Sequence, residues 1–169
     1  MIIVGIDPGN IHSAYAAYDE ATHTVLEADK VENGQLLDYL NVQQDSQTLF
    51  AIEMIASYGM PVGATVFDTC VWIGRFYETI IGAQMMAPAL VYRKDVKMYL
   101  CHTMRAKDSN IRQAIIDRFP ATGGGKVPQI GTKKEKGPLF GIRSDIWAAI
   151  GVALTYSNKI KDLQKAPSP

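Results

Sequence analysis

At 169 residues, 47% apolar and 20% charged, the chain has the size and composition of one globular domain, and it is too apolar and too neutral for disorder. Its 17 basic residues balance its 17 acidic ones, so no overall charge draws it to nucleic acid. Cys70 and Cys101 have no CxxC spacing, no window approaches the ~20 apolar residues of a membrane span, and MIIVGID lacks the basic flank of a signal peptide; reduced cysteines in a cytoplasmic protein are expected.

Residues 1–7 (MIIVGID) predict a short buried strand that ends on an acid, and Pro8-Gly9-Asn10 predicts a turn. Residues 11–18 read as a second strand, and 24–31 as a third after a turn at Asp19-Glu20. These three predict an antiparallel meander. A short helix is expected over 34–40, and residues 48–54 (TLFAIEM) form a further strand with an acid near its end. A Gly/Pro segment over 57–63 leads to residues 64–82, where Val66, Phe67, Cys70, Val71, Ile73, Phe76, Tyr77 and Ile80 fall at helical spacing. A strand over 88–92 and a helix over 94–101 follow. The next helix starts on an N-cap at Asp108 or Ser109 and runs to Phe119. Residues 120–138, rich in glycine, proline and lysine, predict a mobile loop. A long helix over 143–160 closes a single domain of residues 1–165, before a frayed tail at 166–169. The order predicts a layered α/β domain with a mixed sheet.

Charge is unevenly spread. From Arg93 to Arg143 there are 12 Lys or Arg against four acids, whereas residues 7–53 are acidic. Such polarity suits a protein that places cations at one point and phosphates at another. Three acids stand out. Asp7 ends a buried strand directly before a turn, at a sheet edge that a ligand can reach. Glu53 also ends a strand, where acids are disfavoured. Asp145 follows Ser144 in the first turn of the last helix, a place that suits an acid through the helix dipole alone. Together the three can converge at the C-terminal edge of one sheet. Clustered carboxylates repel, so some must take a proton or a metal. Their hard oxygens suit Mg²⁺, with Mn²⁺ as substitute, and two such ions can flank a phosphodiester.

Here the residues resemble a known family. IVGIDPGNIHSAYAAYD resembles the first strand and G-x-D-P-G turn of RuvC-type Holliday-junction resolvases, and FAIEM resembles their second acidic strand. VYRKDVKMYLCHTMRAKDSNIRQAIIDRF is similar to their lysine-containing helix pair, and SDIWAAIGVALTY to their last helix. SYGMPVG and KGPLFGIRSDIW look like the phage-encoded branch, which implies a bacterial host cytoplasm. The resemblance implies a ribonuclease H-like fold, a five-stranded mixed sheet flanked by helices. It implies a Mg²⁺-dependent endonuclease with two ions on Asp7, Glu53 and Asp145, acting on branched DNA. Lys97 and Lys107 fall where the family keeps basic residues near the cut strand, flanked by Arg93, Lys94 and Arg105. Arg143 and the loop cluster Lys126, Lys133, Lys134 and Lys136 extend this basic surface, and the loop is expected to order on DNA. Cellular members generally carry a further acid three residues beyond Asp145. Ala148 stands there in this chain, leaving three carboxylates.

Resolution by two nicks implies a homodimer. The 64–82 helix is expected to serve it, being apolar on more than one face through Val66, Phe67, Val71, Trp72, Phe76 and Tyr77. Trp72, Phe76 and Tyr77 read as core or interface, His102 as structural, and Asp68 and Glu78 as solvated. Tyr58 and Met60, just past Glu53, are candidate wedges at a junction. The rival readings are a sugar-kinase or actin-like ATPase module, a non-catalytic branched-DNA scaffold, and a flap, ribonuclease H or RNA–DNA hybrid nuclease. The first lacks a second phosphate loop, and Ala148 is the best support for the second.

Overall fold

The computed structural model describes residues 1–42, 47–57, 59 and 61–165. Tyr58, Met60 and the tail at 166–169 therefore lie outside the described residues. The elements are β1 (Ile2–Asp7), β2 (His12–Asp19), β3 (Thr24–Glu32), α1 (Asn33–Val42), β4 (Thr48–Met54), α2 (Ala64–Gln84), β5 (Ala89–Tyr92), α3 (Arg93–Cys101), α4 (Asp108–Ile116) and α5 (Ile146–Lys165). The strands form one mixed sheet in the order β3-β2-β1-β4-β5. The meander β1-β2-β3 is antiparallel, while β4 and β5 run parallel to β1.

Side-chain alternation along the strands builds two cores. On one face Ile3, Ala14, Ala16, Ala51 and Val91 pack against α5, α3 and α4. On the other, Val4, Ile6, Phe50 and Ile52 pack against Leu36 and Leu40 of α1 and Ile73, Phe76 and Ile80 of α2. The α5 face is small-residued at its centre, and that sets how near the helix comes. A β-carbon on Gly5 would lie 2.2 Å from the carbonyl oxygen of Ala149 and 2.7 Å from the amide nitrogen of Ala153. The glycine of the G-x-D motif thus admits the last helix rather than making a turn, and so fixes where that helix begins relative to Asp7.

Three sequence expectations are corrected. The last helix starts at Ile146, not 143, so Asp145 precedes it and its carbonyl accepts from the amides of Ala148 (2.9 Å) and Ala149 (3.1 Å). Lys107, not Asp108 or Ser109, is the N-cap of α4: its amide is met by the Asn110 side chain at 2.9 Å, and the helix ends at Ile116. The 120–138 segment has no regular element apart from one bridge, Gly131–Lys136, but it is not an open tether. Gly124 and Thr132 amides both donate to Glu135, the Gly137 amide donates to Ile130, and Leu139, fully buried, donates to Gln129. Gly131 has φ +78° there, a conformation that favours glycine. Among the described residues no helix is long and apolar enough to cross a membrane.

Candidate active site

The two strand-end acids meet. Ile6 of β1 pairs with Ile52 of β4 in parallel register, so the next residues, Asp7 and Glu53, stand side by side at the C-terminal ends of adjacent strands. Their side chains hydrogen-bond to one another. The turn after Asp7 is fastened from beneath: the Gly9 amide donates to Ser13 Oγ (3.0 Å), Ser13 Oγ to Asn33 Oδ1 (2.6 Å), and Asn33 Nδ2 back to the Gly9 carbonyl (2.9 Å). Ser13 and Asn33 are both buried. A closed set of this kind leaves no buried polar group unsatisfied and fixes the turn.

Asp7 and Glu53 line one wall of a cleft of about 470 Å³, with Arg93, Asp108, Arg112, Ser144, Asp145, Trp147 and Ala148 around it. Three helices begin here. Arg93 is the first residue of α3, Asp108 the first of α4, and Asp145 directly precedes α5. The positive ends of three helix dipoles therefore open on the same space, an arrangement that attracts anions. Arg93 lies between two acids, 3.7 Å from Glu53 Oε1 and in closer contact with Asp108. Asp145 is reached from the edge strand β3: Lys30 Nζ lies 2.5 Å from Asp145 Oδ2. Ser144, beside it, has φ 48°, a left-handed conformation uncommon outside glycine, and its hydroxyl donates to Asp145 Oδ1 at 3.2 Å.

Burial pushes the Asp7 carboxyl up to about 8, with the negative charges of Glu53 and Asp145 adding to the shift and Arg93 opposing it. Burial raises Glu53 as well, while Arg93 and the hydrogen bond from Asp7 hold it down. The pair is thus short of one positive charge and shares a proton in its place. Hard carboxylate oxygens with that deficit, mostly shielded yet lining the cleft, suit a divalent cation such as Mg²⁺. Among the described residues, however, no three His, Cys, Asp or Glu side chains come close enough together to hold a metal. The structure brings Asp7 and Glu53 together and places Asp145 on the same cleft, turned to Lys30.

The basic residues divide into two groups. Arg93 is inside the cleft, and Lys107 and Arg143 are exposed beside cleft residues Asp108 and Ser144. Lys94, over the Tyr92 ring at 5.6 Å, Arg105, Lys126, Lys133 and Lys134 are exposed, Lys97 is half-buried, and Lys136 lies 5.0 Å from the Phe140 ring. On α2, Phe76 is buried in the core and Trp72 and Tyr77 pack against it, whereas Phe67 and Val71 are exposed. His102 ends α3 in a left-handed conformation, and Asp68 and Glu78 are exposed. Sequence reasoning missed Lys30, Arg112, the Ser13–Asn33 fastening and the role of Asp108 as Arg93's partner.

The fold is of the ribonuclease H-like class. It is similar to Thermus thermophilus RuvC in complex with a Holliday junction substrate, with a TM-score of 0.69 and 15% identity over 96% of both chains. A second structure of Thermus thermophilus RuvC matches at TM-score 0.65, again at 15% identity and 96% of both chains. No protein-family model matches the chain, and no curated protein matches it in sequence.

Proposed function

We propose that the protein is a divalent-metal-dependent endonuclease that cuts branched DNA, resolving four-way junctions by paired nicks. The observation that carries this reading is the Asp7–Glu53 pair, side by side at the ends of adjacent strands, in a cleft on which three helix N-termini open. The pair would hold Mg²⁺, or Mn²⁺ in its place, with Asp145 within the same cleft. When bound there, a divalent ion would acidify a water to serve as nucleophile and would draw charge from the phosphate oxygens. The chain's own groups do the rest. The positive ends of the α3, α4 and α5 dipoles would favour the charge of the scissile phosphate. Arg93 opposes the upward shift that burial imposes on Glu53. Lys94, Lys97, Arg105, Lys107 and Arg143 would bind the flanking backbone, with Lys133, Lys134 and Lys136 of the loop, and confer affinity without choosing sequence.

The fold likeness supports this, since one of the similar structures is described as bound to a Holliday junction substrate. A four-way junction needs two like nicks, and one 1–165 domain supplies one cleft. A homodimer through α2 would supply the second, and exposed Phe67 and Val71 offer the apolar surface for it. The reading carries a cytoplasmic location, in a bacterial host if the chain is phage-encoded. The Lys30–Asp145 ion pair favours a second reading, a scaffold that binds branched DNA without cutting it. Four-way junction, flap, duplex and RNA–DNA hybrid, incubated in parallel with and without Mg²⁺, separate the two. Cleavage of the junction only with Mg²⁺ is expected. Junction binding without cleavage establishes the scaffold, and preferred cleavage of flap or hybrid moves the substrate while keeping the chemistry. Light scattering at micromolar concentration tests the dimer.

A further inference from the structure

One row of the sheet runs beneath the cleft. Asp7 pairs with Ala14, and Ala14 with Lys30, so all three share a face, and Glu53 extends the row on the other side of Asp7. Ala14 is buried and ends at its β-carbon. Lys30 therefore passes over it and reaches Asp145, 115 residues away in sequence, at 2.5 Å. Lys30 is the sole Lys or Arg in the first 74 residues, and Glu32, two residues on along the same face of its strand, stands as an alternative partner.

We infer that Lys30 is a built-in second cation: the cleft takes one divalent metal ion, on Asp7 and Glu53, and the Lys30 ammonium supplies at Asp145 the positive charge that a second ion would bring. This rests on the nuclease reading and deepens it. Placement supports it, because Asp7 and Glu53 stand side by side at the ends of adjacent strands, while Asp145 lines the same cleft with the Lys30 ammonium on one of its oxygens. Ala148, on the cleft wall one turn into the helix, adds no donor. Charge balance supports it too. Asp7, Glu53, Asp108 and Asp145 face Arg93, Arg112 and Lys30, which leaves one net negative charge. One divalent ion turns this into a single positive charge, matched by one phosphodiester. A second ion would leave a large excess of positive charge in a partly desolvated cleft, which is costly. Lys30 and Asp145 are both well hydrated, and exposed pairs of this kind are worth only ~0–1 kcal/mol. The contact thus contributes charge at the site far more than it contributes stability to the fold.

The test is metal stoichiometry on the whole chain. Binding of Mn²⁺ alone is followed by the electron paramagnetic resonance signal of the free ion, with thermal melts to establish that each variant is folded. Wild type is expected to bind one ion per chain and Asp7→Asn none. Lys30→Gln should gain a second site at least tenfold tighter than any further site of wild type, and Lys30→Arg, which keeps the charge, should return to one. Two comparable sites in wild type, or a folded Lys30→Gln that still binds one ion, overturn the inference while leaving the nuclease reading standing. A wild type that binds no Mn²⁺ overturns both.

Discussion

Two acid-bearing regions face each other across the cleft, and they meet their charge in different ways. Asp7 and Glu53 stand at the ends of central strands, mostly but not fully buried, with Arg93 as their nearby cation. Asp145 stands at a helix start, half-exposed, with Lys30 on one oxygen and the Ser144 hydroxyl at the other. Burial makes the difference. A solvated acid satisfies itself with any lysine in reach, whereas two buried acids must share a proton or take a cation from outside. The buried side is therefore the side on which function is to be sought, and the exposed side tunes it.

The strongest way to break this comparison is to push the two regions apart. Gly5→Ala places a β-carbon against the backbone of Ala149 and Ala153, and neither can yield without moving α5. Overpacking of this kind costs about 1–3 kcal/mol. Displacing Asp145 from Asp7 by even ~1 Å should lower cleavage by about a hundredfold. Denaturant unfolding and single-turnover cleavage measure the two losses. An unchanged rate in a folded Gly5→Ala protein would show that the spacing of the two regions is not used.

The buried side should also announce itself in pH dependence. Asp7 takes a proton more tightly when folded than when unfolded, since its value rises from 3.8 to about 8. Its contribution to stability is fully present below the lower value and is lost as pH rises through the upper one. Metal-free protein should therefore melt several degrees lower at pH 9 than at pH 5, by an amount on the order of a few kcal/mol. Millimolar Mg²⁺ should recover the loss at pH 9, and Asp7→Asn should flatten the slope. Equal pH profiles for wild type and Asp7→Asn would remove the charge deficit from the account. Smallest is the effect expected outside both regions. Lys107→Ala should weaken junction binding modestly and reduce the slope of log affinity against log salt by about 1. An unchanged slope would mean that Lys107 touches no phosphate.

Much of the fold was legible because its signals are local. β1, β2 and β4 are short apolar runs closed by an acid or a turn, and the acids at the ends of β1 and β4 are conspicuous against the apolar residues before them. That is why Asp7 and Glu53 could be singled out, and their contact follows from parallel register alone. Asp145 was legible as a residue but misplaced within the helix. The positive φ of Ser144 ends the preceding turns and starts α5 afresh, and nothing in Arg143-Ser144-Asp145 marks that break. Lys30 was not legible, because its partner lies 115 residues on and its reach depends on Ala14 being small. The 120–138 loop misled by composition. Gly123, Gly131 and Gly137 suggest slack, but a β-carbon at any of them would collide with the loop's own backbone, so they are there for closeness.

The central claim, that the Asp7–Glu53 pair is the reacting centre of a junction-cutting nuclease, is tested most directly by mapping nicks. A strand-labelled four-way junction is incubated with wild type and with Asp7→Asn at equal binding saturation, with Mg²⁺. Wild type should introduce one nick in each of two strands of like polarity. Asp7→Asn should bind the junction within a few-fold of wild type and cut it at least ~10²–10³ times more slowly. An uncut junction with Mg²⁺-loaded wild type, or an Asp7→Asn protein that nicks at the wild-type rate, would contradict the account.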